Sequence, residues 1–304
     1  MSPAAAPELS VVLVTDSLDA IAKVLGSYRD QNDPTRLEMV ISVVGGARLA
    51  GEAIRSLGFQ HFRLVDGGDG DLQIAEARAV RAATAPLVVF AQAKAYPRPG
   101  FVDAILAARA SGTWSVIGPS MANANPESAA SRATMWVNYG QWMDAPARGP
   151  AEDVPGHNSA YDREALLALG PELDESLEAG WQLQTELRAR GGRCFLEPGA
   201  CIAVVNPSRL GEFVARFFRL GRRVAAQRRR HWSVLRRLGY AAGAPLIPLV
   251  RLARILADGV RRRRDHLEWR LLPFVLLALL ASAAGELVGY VFGHGPPSRF
   301  VREV

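Results

Sequence analysis

Between Glu8 and Val205, short β-branched runs alternate with longer stretches of helical period. LSVVLV (Leu9 to Val14) reads as a buried strand and Ile21 to Tyr28 as a helix. LEMVISVV (Leu37 to Val44), HFRLV (His61 to Val65) and PLVVFA (Pro86 to Ala91) read as further strands, with a helix over Leu72 to Ala83 before the last. Strands separated by helical crossovers predict an α/β domain with a parallel sheet covered on both faces. Such sheets hold their ligands at the carboxyl ends of the strands, so chemistry is expected after Val14, Val44, Val65 and Phe90.

The texture changes after Val205. Phe213 to Tyr240 interleaves aromatic and aliphatic residues with arginines at helical spacing, which predicts a basic amphipathic helix or helix pair. The pattern continues to Arg264, with Pro245 and Pro248 breaking the helix near the start of this stretch. Leu271 to Phe292 is then 22 residues with one charge, Glu286. At about 1.5 Å per residue it reaches roughly 33 Å, enough to cross a bilayer core. A buried core helix, a helix lying flat, and half of a shallow hairpin with Pro245 to Ala257 are the alternatives. Glu286 stands against hydrocarbon, and near the far end of the run it is expected at the interface or protonated. The division expected is 1–205 for the α/β domain, 206–269 for basic interfacial helices, 270–293 for the membrane helix and 294–304 for a tail.

Charge sharpens this division. Asn206 to Arg270 holds 17 arginines and four acids, a net of +13, whereas the whole chain carries only +6. Clustered arginines beside an apolar run fit anionic lipid better than nucleic acid, whose sites rarely adjoin a hydrophobic span. Arg261 to Arg264 and Arg270 precede the run and only Arg299 and Arg302 follow it. The positive-inside bias therefore expects the large domain on the cytoplasmic face of the cell membrane. Met1 to Ser10 shows no basic region followed by an apolar core, which agrees with that side. Cys194 and Cys201 match no zinc spacing and read as buried small hydrophobes.

Three segments carry a resemblance. APLVVFAQAKAYPRPGFVDAILAA (Ala85 to Ala108), VPGHNSAYDREALLALGPELDESL (Val154 to Leu177) and AEARAVRAA (Ala75 to Ala83) resemble, in order, parts of the family 2 inverting glycosyltransferases. These are a strand that ends in a DxD motif before a PxPG turn, the acceptor-side segment, and a helix that begins with an Ala-Arg pair. The resemblance implies a GT-A fold, the Rossmann-like fold of nucleotide-diphospho-sugar transferases. It also implies a nucleotide-sugar donor, a lipid-linked or glycan acceptor, and a divalent Mg or Mn ion bound by the DxD acids. Some members carry interfacial and transmembrane helices after the catalytic domain.

The chain departs from that pattern where the chemistry lies. The DxD positions read Gln92, Ala93 and Lys94, and neither carboxylate is present. An ammonium repels a divalent cation, so no metal cofactor is expected. Gln92 remains able to hydrogen-bond a ribose. Aligning LEAGWQLQTELRARGG on Trp181 and Leu183 puts Ala179 and Gly180 where the resemblance implies an acidic base pair, with Glu178 one or two positions away. Asp174 and Glu175 are weaker replacements. No acid follows the second strand in ISVVGG, while Asp16 and Asp66, after the first and third strands, are candidates for nucleoside contact or for capping a turn.

Two readings follow. In one, Lys94 replaces the metal at the diphosphate and Glu178 or His157 is the base of a metal-independent transferase, with Arg78 beside the donor and His157, Asn158 and Trp181 on the acceptor side. In the other, catalysis has been lost and the domain persists as a membrane-tethered binding or scaffolding partner in glycan assembly. Trp136, Tyr139 and Trp142 could stack on a sugar or pack a core. QRRRHW (Gln227 to Trp232) reads as a solvated basic face that meets lipid headgroups.

Overall fold

The computed structural model describes residues 6–47, 51–69, 71–143, 146–177, 180–243, 246–261 and 268–293. It divides into two compact units. Among the described residues, the first comprises 6–122 and 142–204. The second comprises 123–141 and the described residues from 205 to 293, so a stretch inside the range 1–205 joins the basic C-terminal part.

The first unit is built on β1 (Leu9–Thr15), α1 (Leu18–Gln31), β2 (Leu37–Val44), α2 (Gly51–Ser56), β3 (His61–Gly68), α3 (Leu72–Ala82) and β4 (Leu87–Phe90). β5 (Ala95–Pro97), α4 (Phe101–Ala110) and β6 (Val116–Asn123) follow, and α5 (Ala129–Tyr139) belongs to the second unit. The chain returns with β7 (Gly149–Ala151), β8 (Ala160–Asp162), α6 (Arg163–Leu167), α7 (Glu172–Ser176), α8 (Gly180–Ala189) and β9 (Cys194–Val204). Nine strands form one sheet in the order β3-β2-β1-β4-β8-β6-β9-β5, with β7 paired to β9. β1 to β4 are parallel, and β8 runs antiparallel to β4.

The β-branched runs become β1, β2 and β4 because every position of β2 and β4 except Val43 is drawn into the core; Val11, Val12, Met39, Val40, Val88 and Val89 are at most 1 % exposed. Strands apolar on both faces require layers on both sides. One layer contains α3, whose small residues Ala75, Ala77 and Ala79 let it lie close to the sheet. The one acid drawn into β2, Glu38, is satisfied rather than exposed. It accepts from Ser10 Oγ at 2.6 Å, Thr84 N at 2.7 Å and Arg63 Nε at 2.8 Å. A buried carboxylate needs this many donors to offset desolvation.

The PRPG turn has a local cause. Gly100 sits at φ +81° and leads into α4, a left-handed conformation that side chains with a Cβ resist. Cys194 is buried and Cys201 half-buried, and both are free thiols. Burial pushes the Cys194 thiol above its ordinary pKa.

The second unit contains α5, α9 (Leu210–His231), α10 (Val234–Gly243), α11 (Ile247–Arg261) and α12 (Leu272–Phe292). Pro248 falls in the first turn of α11, where its missing N–H is tolerated; Pro245 lies outside the described residues. Trp136 is 8 % exposed on α5, which is the core-packing reading. Trp142 packs against the core of the first unit.

α12 is the one helix among the described residues long and apolar enough to cross a membrane, by length and composition. One of its faces packs along α9 with almost no side chain between the backbones. A Cβ on Gly285 would stand 2.0 Å from the Phe218 carbonyl oxygen, and one on Gly221 2.0 Å from that of Ser282. Glu286 is 1 % exposed and forms an ion pair with Arg251 of α11 at 2.8 Å, with Arg228 of α9 at 4.0 Å. Its charge is therefore met inside the protein, not at a helix end facing headgroups. Within QRRRHW, Gln227 is 7 % exposed and Arg229 Nη1 donates to the Val291 carbonyl at 2.9 Å, so part of this stretch packs against α12.

Candidate functional site

The parallel strands β1 to β4 end along one edge of the sheet, which gathers several of the residues singled out in the sequence. β1 and β4 are hydrogen-bonded neighbours; Phe90 at the end of β4 lies opposite Val12, and β1 runs three residues further, to Thr15. Asp16 follows β1, Gly45 and Gly46 follow β2, Asp66 lies within β3 two residues before its end, and Gln92 to Lys94 follow β4. Gly45 and Gly46 are both left-handed, with φ +68° and +69°, and open space where a Cβ would be.

After Phe90 the chain leaves the sheet in a tight turn, closed by the Ala95 N–H donating to the Gln92 carbonyl at 3.1 Å. This turn leaves Lys94 exposed, with Gln92 and Ala93 half-buried. Gln92 turns toward the loop before β8. Asn158 Nδ2 donates to Gln92 Oε1 at 3.4 Å, and the Asn158 backbone N–H donates to the Phe90 carbonyl at 2.8 Å.

Asn158 is the most constrained residue of this edge. It is 1 % exposed, and it is the one non-glycine residue with positive φ (+62°) among the described residues. Its side-chain Oδ1 is buried without a hydrogen-bond partner there. A left-handed asparagine with an unused acceptor costs on the order of 1–3 kcal/mol and persists only where its surroundings hold it. Those surroundings are visible. Gln184 of α8 spans the loop, donating from Nε2 to the Val154 carbonyl at 2.9 Å and accepting from the Val154 N–H at 3.2 Å. The Tyr161 hydroxyl donates to the Gly156 carbonyl at 2.7 Å, and Ser159 Oγ to that of Pro155 at 2.5 Å. His157 is half-buried on this clamped loop.

Beneath the loop lies a group that sequence reasoning missed. Glu76, on α3, is 6 % exposed, and desolvation raises its pKa to about 8. It is close enough to the Tyr161 hydroxyl to help raise that group's pKa, which burial already shifts upward. At neutral pH the Glu76 carboxyl is mainly protonated. The sequence carries no signal of this burial: an acid between Ala75 and Ala77 reads as a solvent-facing helix position, and the small neighbours explain it only once α3 is seen against the sheet.

The other candidates separate. Asp66 takes the turn-capping role, with Oδ1 accepting from the Gly68 N–H at 2.9 Å. Arg78 Nη1 donates to the Asp66 carbonyl at 3.0 Å, so these two form one corner at the end of β3 while keeping exposed charge. Asp174 is engaged by Arg81 through two hydrogen bonds of 3.0 and 2.8 Å on the protein's surface. Glu178 lies outside the described residues, and Trp181 is placed in α8 by its backbone alone.

The donor set does not suit a divalent cation. Hard cations want several carboxylate or carbonyl oxygens, and the end of β4 offers one amide oxygen, already in use, beside an ammonium. Among the described residues no three His, Cys, Asp or Glu side chains cluster to hold a metal ion.

A sheet of this order, with its polar residues at the carboxyl edge, is the architecture of nucleotide-sugar transferases of the GT-A type. The structure of the mannosyltransferase PcManGT from Pyrobaculum calidifontis, in complex with GDP-Man and Mn2+, matches 93 % of this chain and 88 % of its own with a TM-score of 0.56 at 19 % identity. S. aureus TarS 1-349 matches over 97 % of this chain and 90 % of its own, with a TM-score of 0.51 at 17 % identity. At these identities the likeness is one of fold, and the chain has the GT-A fold followed by helices that end in an apolar one. No protein-family model and no curated protein matches the sequence.

Proposed function

We propose that the protein binds a nucleoside diphosphate sugar without a divalent cation and transfers the sugar to a lipid-linked or glycan acceptor held at the cytoplasmic face of the cell membrane. The observation that carries this reading is the placement of Lys94. It is exposed in the turn that follows β4, next to Gln92 and the clamped loop of His157 and Asn158. The GT-A fold supports the class of donor, as does the GDP-Man bound by PcManGT.

In this reading the Lys94 ammonium faces the diphosphate, where a fixed positive charge stabilises the leaving group as it separates. The acceptor hydroxyl oxygen forms a bond to the anomeric carbon. The bond from that carbon to the diphosphate oxygen breaks, and its electron pair leaves with the diphosphate. The hydroxyl proton passes to Glu178 or His157. Gln92, with Asp16, contacts the nucleoside; Arg78 adds charge from the corner it shares with Asp66; and His157, Asn158 and Trp181 face the acceptor.

A second reading, a catalytically inactive, membrane-tethered scaffold or binding partner in glycan assembly, is favoured by one feature. The positions matched to the DxD and base acids hold Gln92, Lys94, Ala179 and Gly180. Titration calorimetry with UDP- and GDP-sugars in excess EDTA tests the first. Binding that Lys94→Ala weakens about 10- to 100-fold, the loss of one charged hydrogen bond, is expected. Transfer of radiolabelled sugar to a membrane lipid extract then separates turnover from binding alone. Absence of binding with or without metal would overturn the transferase reading, and a pull-down that recovers no membrane or glycan-assembly partner would overturn the scaffold.

A further inference from the structure

We infer that α12 lies in the plane of the membrane, with one stripe in a single anionic leaflet, instead of crossing the bilayer. The inference deepens the membrane part of the proposed function and concerns the helical unit alone.

Pro273, Leu276, Leu280, Ala284, Leu287 and Val291 are the exposed positions of α12 before its last residue. Their spacings of three and four place them on one stripe of an α-helix, and every member is apolar. Leu280 and Val291 are each 50 % exposed. From Pro273 to Val291 the stripe runs about 27 Å. The opposite face is closed by α9, through the backbone contacts at Gly221, Gly285 and Gly289.

The identity of that covering helix decides the orientation. Contacts progress in step along both chains: Phe213 meets Phe274, Phe218 meets Gly285, and Arg222 Nε donates to the Gly293 carbonyl at 3.1 Å. The two helices therefore run parallel for most of their length. α9 carries Arg216, Arg219, Arg222, Arg223, Arg228 and Arg229, followed by Arg230. If α12 crossed the hydrocarbon while keeping this packing, α9 would carry its arginines in as well, a placement that membranes penalise heavily. Turning the pair into the membrane plane removes the conflict. The apolar stripe enters the acyl region from one side, and the arginine-rich helices remain at headgroup level.

Charge names the occupant of the stripe. The segment Asn206 to Arg270 has a net charge of +13, and Arg236, Arg254 and Arg270 are exposed on it. A leaflet rich in anionic phospholipid satisfies both the apolar stripe and the surrounding cations; a neutral protein surface satisfies only the first.

The test uses the full chain, with single cysteines at Leu276, Leu280, Leu287 or Val291 carrying an environment-sensitive fluorophore. Each is added to phosphatidylglycerol–phosphatidylcholine vesicles that contain spin-labelled lipids at graded depths. An in-plane helix places all four probes at one shallow depth. A steady gradient of depth from position 276 to 291 would show a crossing helix and overturn the inference, as would absence of quenching at every position. As a second measurement, Leu280→Glu with Leu287→Glu, both on exposed positions, should reduce flotation with these vesicles more than tenfold while the far-ultraviolet circular dichroism stays unchanged. Unaltered flotation would overturn the inference. Nucleotide binding measured without lipid reports on the sheet-edge site independently, so failure of one does not mimic failure of the other.

Discussion

At the scale of single residues, the proposed function rests on two side chains that the sequence located, and a third, buried one was hidden from it. Lys94 and Gln92 could be placed after the fourth strand because a short β-branched run ends there. The contact of Gln92 with Asn158 could not, since 66 residues separate them and only the antiparallel pairing of β8 with β4 brings them together. Glu76 was invisible for a different reason. A lone acid in an alanine-rich helix reads as its solvent face, and only the depth of α3 against the sheet buries it. Its consequence is a pH effect of definite sign. The folded-state pKa of about 8 lies above the ordinary value of 4.5, so between these two values the folded protein holds a proton that the unfolded chain has released. Stability therefore falls as pH rises, by up to about 1.4 kcal/mol per unit from this group. Chemical denaturation from pH 5 to 8 should show that decline in the wild type and a flatter profile in Glu76→Gln. Parallel profiles would contradict the assignment.

At the scale of elements, the strands of the parallel half were legible almost to the residue. β2 spans the same Leu37 to Val44 that the apolar run marks, because a strand buried on both faces begins and ends on apolar residues, Leu37 and Val44. The three-residue strands β5, β7 and β8 were not legible, as three residues set up no period. The amphipathic pattern left one helix or a helix pair open over Phe213 to Tyr240, and the structure has the pair, α9 and α10. What it concealed was the role of glycine. Gly285 and Gly289 stand four apart on the buried face of α12, the spacing that lets two helices touch backbone to backbone. Gly285→Leu should separate α9 from α12, because its Cβ alone meets the Phe218 carbonyl at 2.0 Å. A loss of at least about 1–3 kcal/mol is expected, the usual scale of overpacking. It would appear as a lower midpoint in thermal denaturation, whereas an unchanged midpoint would mean that the helices do not pack this way.

At the scale of the whole molecule, sequence order misled in one respect. α5 lies within a run that reads as continuous α/β domain, yet residues 123–141 group with the helices that follow residue 205. Nothing in local composition marks that exchange; Arg132 reaches Glu268 at 3.2 Å across 136 positions of the chain. The charge asymmetry was fully legible, because counting charges needs no coordinates. The central claim is that one fixed ammonium stands where related chemistry uses a metal ion. It can be tested by exchanging the two. Gln92→Asp combined with Lys94→Asp places carboxylates at both positions. Binding of the nucleoside diphosphate sugar is then measured for wild type and variant, in EDTA and in Mn2+. The account predicts wild-type affinity that is indifferent to Mn2+ and a variant that binds only when Mn2+ is present. Wild-type binding that disappears in EDTA would contradict it.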